Sequence, residues 1–72
     1  MQIYAKKYFC GKMIPLRVKT SDTIVNVMKK ITEKEGIPVE QQCLLFDGVK
    51  LNDKLTLANY DIQEKSILDL VP

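Results

Sequence analysis

The side chains best suited to chemistry are the two cysteines, Cys10 and Cys43. A thiolate is both a nucleophile and a metal ligand, and neighbouring lysines favour the thiolate form. Cys10 has such neighbours in Lys6, Lys7 and Lys12. The sequence contains no histidine, so the usual general base is missing and no imidazole could complete a zinc site with two cysteines. We therefore interpret both cysteines as free thiols and expect no catalytic residue, no metal site and no cofactor.

The compartment follows from the same two thiols and from the start of the chain. Two cysteines are too few for a disulfide framework, and free thiols are typical of reducing compartments. Residues 1–4 lack the basic leader and apolar run of a signal peptide. No apolar run approaches the ~20 residues that a membrane span needs. We expect a cytoplasmic or nuclear protein that does not contact a membrane.

Charge is distributed unevenly along the chain. Residues 1–30 contain seven basic side chains and one acidic side chain, a net of +6, whereas residues 31–72 contain four basic and eight acidic ones, a net of −4. Such a dipolar surface can steer an acidic partner. Nucleic acid is not expected, because the isoelectric point of about 8.6 is below 9 and the basic residues are not interleaved with aromatics.

The first twenty residues have the pattern of a hairpin. Apolar and polar residues alternate over residues 2–8 and again over residues 13–19, which is the period of half-buried strands. Gly11 lies between them and can adopt the positive φ that a bulged hairpin needs. Pro15 has no amide hydrogen, so it must face away from a central ladder or lie at a bulge.

A helix is predicted over about residues 24–35. Thr23 is the expected N-cap, since its hydroxyl can accept an amide hydrogen from the first turn. Gly36 is placed to end the helix, and Pro38 prevents its continuation. The apolar residues within the helix are spaced by three and four and form one stripe: Ile24, Val27, Met28 and Ile31.

The second half of the chain contains short strands and turns. Residues 43–46 and 49–51 read as strands joined by an Asp47-Gly48 turn, and residues 66–71 read as the last strand. The intervening residues 52–60 are loop-like, with Leu55, Leu57 and Tyr60 as the expected apolar anchors. A hairpin, a helix and further strands in 72 residues predict one α+β domain over residues 1–72, with one helix packed across a mixed sheet.

Several motifs together resemble ubiquitin along the whole chain. They are Met1-Gln2-Ile3, Ser21-Asp22-Thr23-Ile24, Lys34-Glu35-Gly36-Ile37-Pro38, Gln41-Gln42 and Asn59-Tyr60-Asp61-Ile62-Gln63. One extra residue falls in the first hairpin, near Tyr8-Phe9-Cys10. The resemblance implies the β-grasp fold with these core positions: Ile3, Ala5, Ile14, Leu16, Val18, Ile24, Val27, Ile31, Leu44, Leu51, Leu57, Ile62, Leu68 and Leu70.

The resemblance also implies a recognition site on the open face of the sheet. In ubiquitin a shallow apolar patch on this face binds partners, and exposed apolar patches generally mark such sites. The matching positions here are Leu45 and Val71, which alternate with the core leucines. The hairpin would add Tyr8 or Phe9, and the β-turn would place its residues at the rim of the patch: Gly48 and Val49.

This patch departs from the family at two positions. Asp69 stands where a histidine is usual, and Cys43 replaces the usual arginine at the edge. Asp69 is therefore assigned to the site as a residue that adds negative charge. Both changes are expected to weaken binding to the acidic helices that dock on ubiquitin and to favour a basic partner.

A secondary surface resembles ubiquitin's aromatic patch. It comprises Gln2, Tyr4, Pro15 and Glu64. Tyr4 keeps the aromatic face and adds a hydroxyl.

The features needed for conjugation are incomplete in this sequence. The family's modifiers end in a flexible tail with the sequence Arg-Leu-Arg-Gly-Gly, whereas this sequence ends at Val71-Pro72. Three lysine positions used in ubiquitin chains are occupied here by Met28, Val49 and Glu64. We therefore expect a monomeric, non-catalytic domain that is not conjugated through residues 1–72.

Three functions stay open at this point. The first is an interaction domain at the N-terminus of a larger protein, docking on ubiquitin-binding domains or on proteasome or unfoldase subunits. The second is a ubiquitin-like modifier, or a divergent ubiquitin, whose conjugation tail lies beyond Pro72. The third is a structural module within an enzyme.

Overall fold

The computed structural model describes residues 1–72 and contains one helix packed across a five-stranded mixed sheet. In chain order its elements are β1 (Gln2–Lys7), β2 (Met13–Arg17), α1 (Ile24–Glu35), β3 (Cys43–Phe46), β4 (Val49–Lys50) and β5 (Ile67–Val71). The strand order is β2-β1-β5-β3-β4. Strands β1 and β5 are parallel, and all other neighbours are antiparallel. The predicted α+β class and the β-grasp arrangement are confirmed.

The β1–β2 hairpin forms where the alternating pattern placed it. Ile3 pairs with Leu16 and Ala5 pairs with Ile14, and all four side chains are buried. Gly11 has a φ of 70°, the left-handed conformation that the turn requires. The hairpin therefore presents one apolar face to α1 and its other face to solvent.

Helix α1 begins and ends at the predicted caps. The Thr23 hydroxyl accepts the Asn26 amide hydrogen at 3.3 Å, which satisfies one of the free donors of the first turn. Gly36 has a φ of 73°, and its amide donates to the Thr32 carbonyl at 2.8 Å. The predicted span of residues 24–35 is confirmed.

The core lies between α1 and the sheet. Its fifteen buried residues are the predicted set together with Met28, and they form one contiguous cluster. Burying one such leucine or isoleucine contributes about 1.5–3 kcal/mol before chain entropy is subtracted. The core positions β5 in the middle of the sheet, where its outward side chains can meet those of β1 and β3.

The loop after β4 differs in one anchor from the prediction. Leu57 is fully buried, and Tyr60 packs against the core while its hydroxyl accepts the Asn52 amide hydrogen at 2.8 Å. The prediction for Leu55 is wrong, since this side chain is 40% exposed. Its carbonyl accepts the Ile24 amide hydrogen at 2.8 Å, so the backbone contacts the helix start while the side chain faces solvent.

Two short 3-10 turns were not predicted. They lie at Val39–Gln41, before β3, and at Ala58–Tyr60, within the loop after β4. A segment of three residues is too short to show a helical period in the sequence.

Candidate functional site

The open face of the sheet brings Leu45 and Val71 together. In the β3–β5 register Leu45 is opposite Asp69 and Cys43 is opposite Val71. Leu45 and Val71 are therefore diagonal neighbours on one face, within reach of a single partner side chain. Both are half-buried, and the residues that alternate with them lie in the core.

The hairpin tip carries the most exposed aromatic side chains. Tyr8 is 67% exposed and Phe9 is 82% exposed, and their rings meet edge to face with centroids 5.6 Å apart. The Tyr8 amide donates to the Leu70 carbonyl at 3.0 Å, which holds the tip beside the end of β5. Two large aromatic side chains are thus fixed next to Val71 and left accessible to solvent.

Between the tip and the end of β5 lies a largely apolar cleft of about 460 Å³. Its walls include Tyr8, Phe9, Cys10, Ile37, Val71 and Pro72. Val71 belongs both to this cleft and to the open face, so the predicted site consists of two parts joined by one valine. Ile37 and Pro72 line the cleft but were not predicted as site residues. For Ile37, the available signal was an apolar residue directly before Pro38, outside the predicted helix.

The rim of the patch differs in detail from the prediction. Asp47 and Gly48 both have positive φ, 52° and 78°, and form the turn between β3 and β4. Val49 is 55% exposed but pairs with Phe46, which places it on the other pleat from Leu45. The residue opposite Leu45 on the open face is Lys50.

Asp69 lies between a basic and an apolar neighbour. In the sheet register it is flanked by Lys6 on β1 and by Leu45 on β3. Together with Lys50, these neighbours give the patch a rim of mixed charge. A basic partner would therefore meet Asp69 within a surface that also carries two lysines.

An ion-pair cluster fixes the hairpin to the end of α1. The Lys7 ammonium lies 2.7 Å from Glu35 Oε1, and the Lys12 ammonium lies 3.3 Å from Glu35 Oε2. The hydrogen bond from Lys7 holds the pKa of Glu35 below its ordinary value, with help from Lys12 and against partial desolvation. The same hydrogen bond raises the pKa of Lys7. Two of the lysines near Cys10 are thus engaged elsewhere.

The secondary surface is contiguous. Tyr4 pairs with Pro15 on β2, and its hydroxyl accepts a hydrogen bond from Gln2 Nε2 at 3.0 Å. The Gln2 backbone amide donates to the Glu64 carboxylate at 3.1 Å. The structure adds Ile67, which pairs with Tyr4 and is 47% exposed. The alternation of buried and outward residues along 66–71 could have identified it, because Ile67 alternates with the core residue Leu68.

No group of three or more cysteine, aspartate or glutamate side chains is arranged to hold a metal ion. None of the helices has both the length and the apolar character needed to cross a membrane.

Comparison with known proteins gives one family. The sequence model of the Ubiquitin family matches residues 5–71. The NEDD8-like protein RUB1 of Saccharomyces cerevisiae is 40% identical, over 90% of this chain and 84% of the relative. The NEDD8-like protein RUB3 of Arabidopsis thaliana is 38% identical, over 90% and 83%. Ubiquitin-like protein 4A of Xenopus tropicalis is 41% identical, over 85% of this chain and 41% of that longer protein.

Proposed function

The chain belongs to the ubiquitin family, and on that premise we propose that it is a non-catalytic protein-interaction domain. Its partners are ubiquitin-binding domains or subunits of the proteasome pathway, and they dock on Leu45 and Val71. The observation that carries this proposal is the join at Val71 between the open-face patch and the cleft beside Tyr8 and Phe9. Tyrosine is enriched among the residues that dominate binding energy, and apolar surface that a partner removes from water adds to the affinity.

The context of the domain has two candidates. Its likeness to ubiquitin-like protein 4A, of which the match covers 41%, supports a module of a larger chain. Its likeness to two NEDD8-like proteins over more than four fifths of their length supports a modifier. The coding sequence after Pro72 decides between them. A Gly-Gly shortly after Pro72 supports the modifier, and a linker into a second domain supports the module.

The docking surface is tested by NMR titration of the labelled domain with a single-helix ubiquitin-binding peptide. We expect shifts at Leu45, at Val71 and in the hairpin over residues 8–11. Val71→Ala should weaken binding by about 1 kcal/mol, because it removes two carbons of apolar surface at about 0.8 kcal/mol for each one buried. The matched control is Ile67→Ala, on the same face of β5 but at its other end, and it should leave the affinity unchanged. Shifts confined to other surfaces would refute the proposal.

The charge at Asp69 sets the preference among partners. Replacing this carboxylate with a neutral imidazole removes its repulsion towards acidic helices. We therefore expect Asp69→His to tighten binding of an acidic ubiquitin-binding helix, measured in the same titration. An unchanged affinity would count against the role given to Asp69.

A further inference from the structure

Basic side chains lie close together along the line where β2 meets α1, on a surface away from the apolar patch. Arg17 and Lys19 come from the end of β2 and the residues after it, and Lys30 and Lys34 come from successive turns of one flank of α1. We call these four residues the basic seam. Arg17, Lys19 and Lys30 line a common cleft of about 440 Å³, and Lys34 reaches over to donate to the Pro15 carbonyl.

The basic seam carries more positive than negative charge, since one acidic side chain lies in its cleft against three basic ones. The acidic residue of its cleft is Asp22, whose carboxylate accepts the Lys19 backbone amide hydrogen at 2.9 Å. Both ion pairs of the molecule use Glu35 and are made by Lys7 and Lys12, outside the seam. None of the four cations makes an ion pair, and with Asp22 included the seam has a net charge of 4 − 1 = +3. The mutual repulsion of the cations is relieved when an anion binds.

From this charge complementarity we propose that the basic seam binds a short acidic segment of a partner protein. The cleft contains no aromatic side chain on which a nucleic-acid base could stack. Residues 31–72 carry a net charge of −4, which repels a long polyanion but not a short segment confined to the seam. An acidic peptide is therefore the occupant that fits the charge distribution.

The free edge of β2 determines how such a segment binds. Lys12 and Val18 hydrogen-bond towards β1, so by alternation the backbone groups of Met13, Pro15 and Arg17 point outwards. Pro15 has no amide hydrogen, and its carbonyl is occupied by Lys34. A continuous strand cannot add across this position. The segment must bind through its carboxylates, which makes the interaction dependent on side-chain charge and on salt.

The test uses the labelled domain and an oligoglutamate peptide, titrated at low and at physiological ionic strength. We expect amide shifts at the basic seam and weaker binding at the higher salt. Arg17→Gln together with Lys30→Gln should lower the affinity roughly tenfold, as expected for two exposed charge pairs. The control pair, Lys54→Gln with Lys65→Gln, changes the net charge equally at exposed positions outside the cleft of the seam and should leave the affinity unchanged.

Several results would overturn the proposal. One is an equal loss of affinity in the control pair, which would show that peptide binding depends on the net charge of the domain and not on the seam. Another is tighter binding of an oligothymidylate than of oligoglutamate, which would indicate a nucleic-acid site. A third is self-association of the domain in the absence of peptide, if the Arg17 and Lys30 substitutions abolish it. The seam would then bind a second copy of this chain. The doubly substituted domain should still bind the ubiquitin-binding helix, and this keeps the test separate from that of the apolar patch.

Discussion

At the scale of single residues, Gln42 is the polar side chain that the core depends on most. It is 8% exposed, and its Nε2 lies 2.9 Å from the Met28 carbonyl, 3.0 Å from the Ile37 carbonyl and 3.1 Å from the Thr32 hydroxyl. Since this nitrogen has two hydrogens, at least one of them is shared between two acceptors. Gln42 thereby satisfies acceptors at the end of α1 and in the loop that follows. Its own Oε1 is buried without a protein partner. The unpaired oxygen costs stability and the hydrogen bonds of the nitrogen contribute to it, each on the order of 1 kcal/mol.

Glu35 gives the fold a dependence on acid pH. Because its pKa is lowered in the folded state, the ion pairs stabilise the protein fully above the ordinary glutamate pKa, and this contribution is lost as the pH falls through the lowered value. We expect Glu35→Gln to be less stable than the parent at about pH 7 and to approach it at about pH 3. Urea unfolding across this range measures the difference.

The control for this prediction is Glu33→Gln, an exposed carboxylate on the same helix that makes no ion pair. Its stability difference from the parent should stay small at every pH, as for most surface substitutions. A constant difference between Glu35→Gln and the parent from neutral to acid pH would contradict the role assigned to the Lys7 and Lys12 contacts.

At the scale of elements, the end of α1 depends on backbone conformation and not on packing. Gly36 has a φ of 73°, and a Cβ added there would meet nothing within 4 Å. We therefore expect Gly36→Ala to destabilise the domain by about 1–2 kcal/mol, the cost of the left-handed conformation for a residue with a Cβ. Chemical denaturation gives the free energy of unfolding.

The matched variant is Gly36→Asn, because asparagine adopts the left-handed conformation more readily than alanine. It should recover part of the lost stability. If alanine and asparagine cost the same, the loss would arise from the side chain's surroundings and not from the backbone.

At the scale of the whole molecule, the two sheet edges bear on the expectation of a monomer. The β4 edge is only two residues long, and the β2 edge is interrupted at Pro15, whose carbonyl is occupied by Lys34. Short or interrupted edges resist pairing with a second sheet. We predict a monomer in sedimentation experiments at all accessible concentrations.

Pro15→Val restores an amide hydrogen at the middle of the β2 edge and should increase self-association at high concentration. Met13→Val, which changes a side chain on the same edge without adding a backbone donor, is the control. Self-association of the parent domain, or an equal effect of both substitutions, would contradict the edge argument.

The sequence by itself determined the elements and the core. Alternation, the apolar stripe of α1, and the caps at Thr23 and Gly36 are local signals, because each depends on residues within a turn or a strand. For that reason the span of α1 and the predicted core residues agree with the structure. The burial of Leu55 was predicted wrongly, since exposure there depends on a backbone contact with the distant Ile24.

Only the tertiary structure decided which side chains are neighbours on the surface. The sheet register placed Lys50, and not Val49, beside Leu45. The hydrogen bond between Tyr8 and Leu70 brought the hairpin tip to Val71, and the packing of α1 against β2 gathered Arg17 and Lys30 into one seam. Such neighbours are far apart in the chain, and their proximity depends on register and helix orientation, which no local pattern encodes.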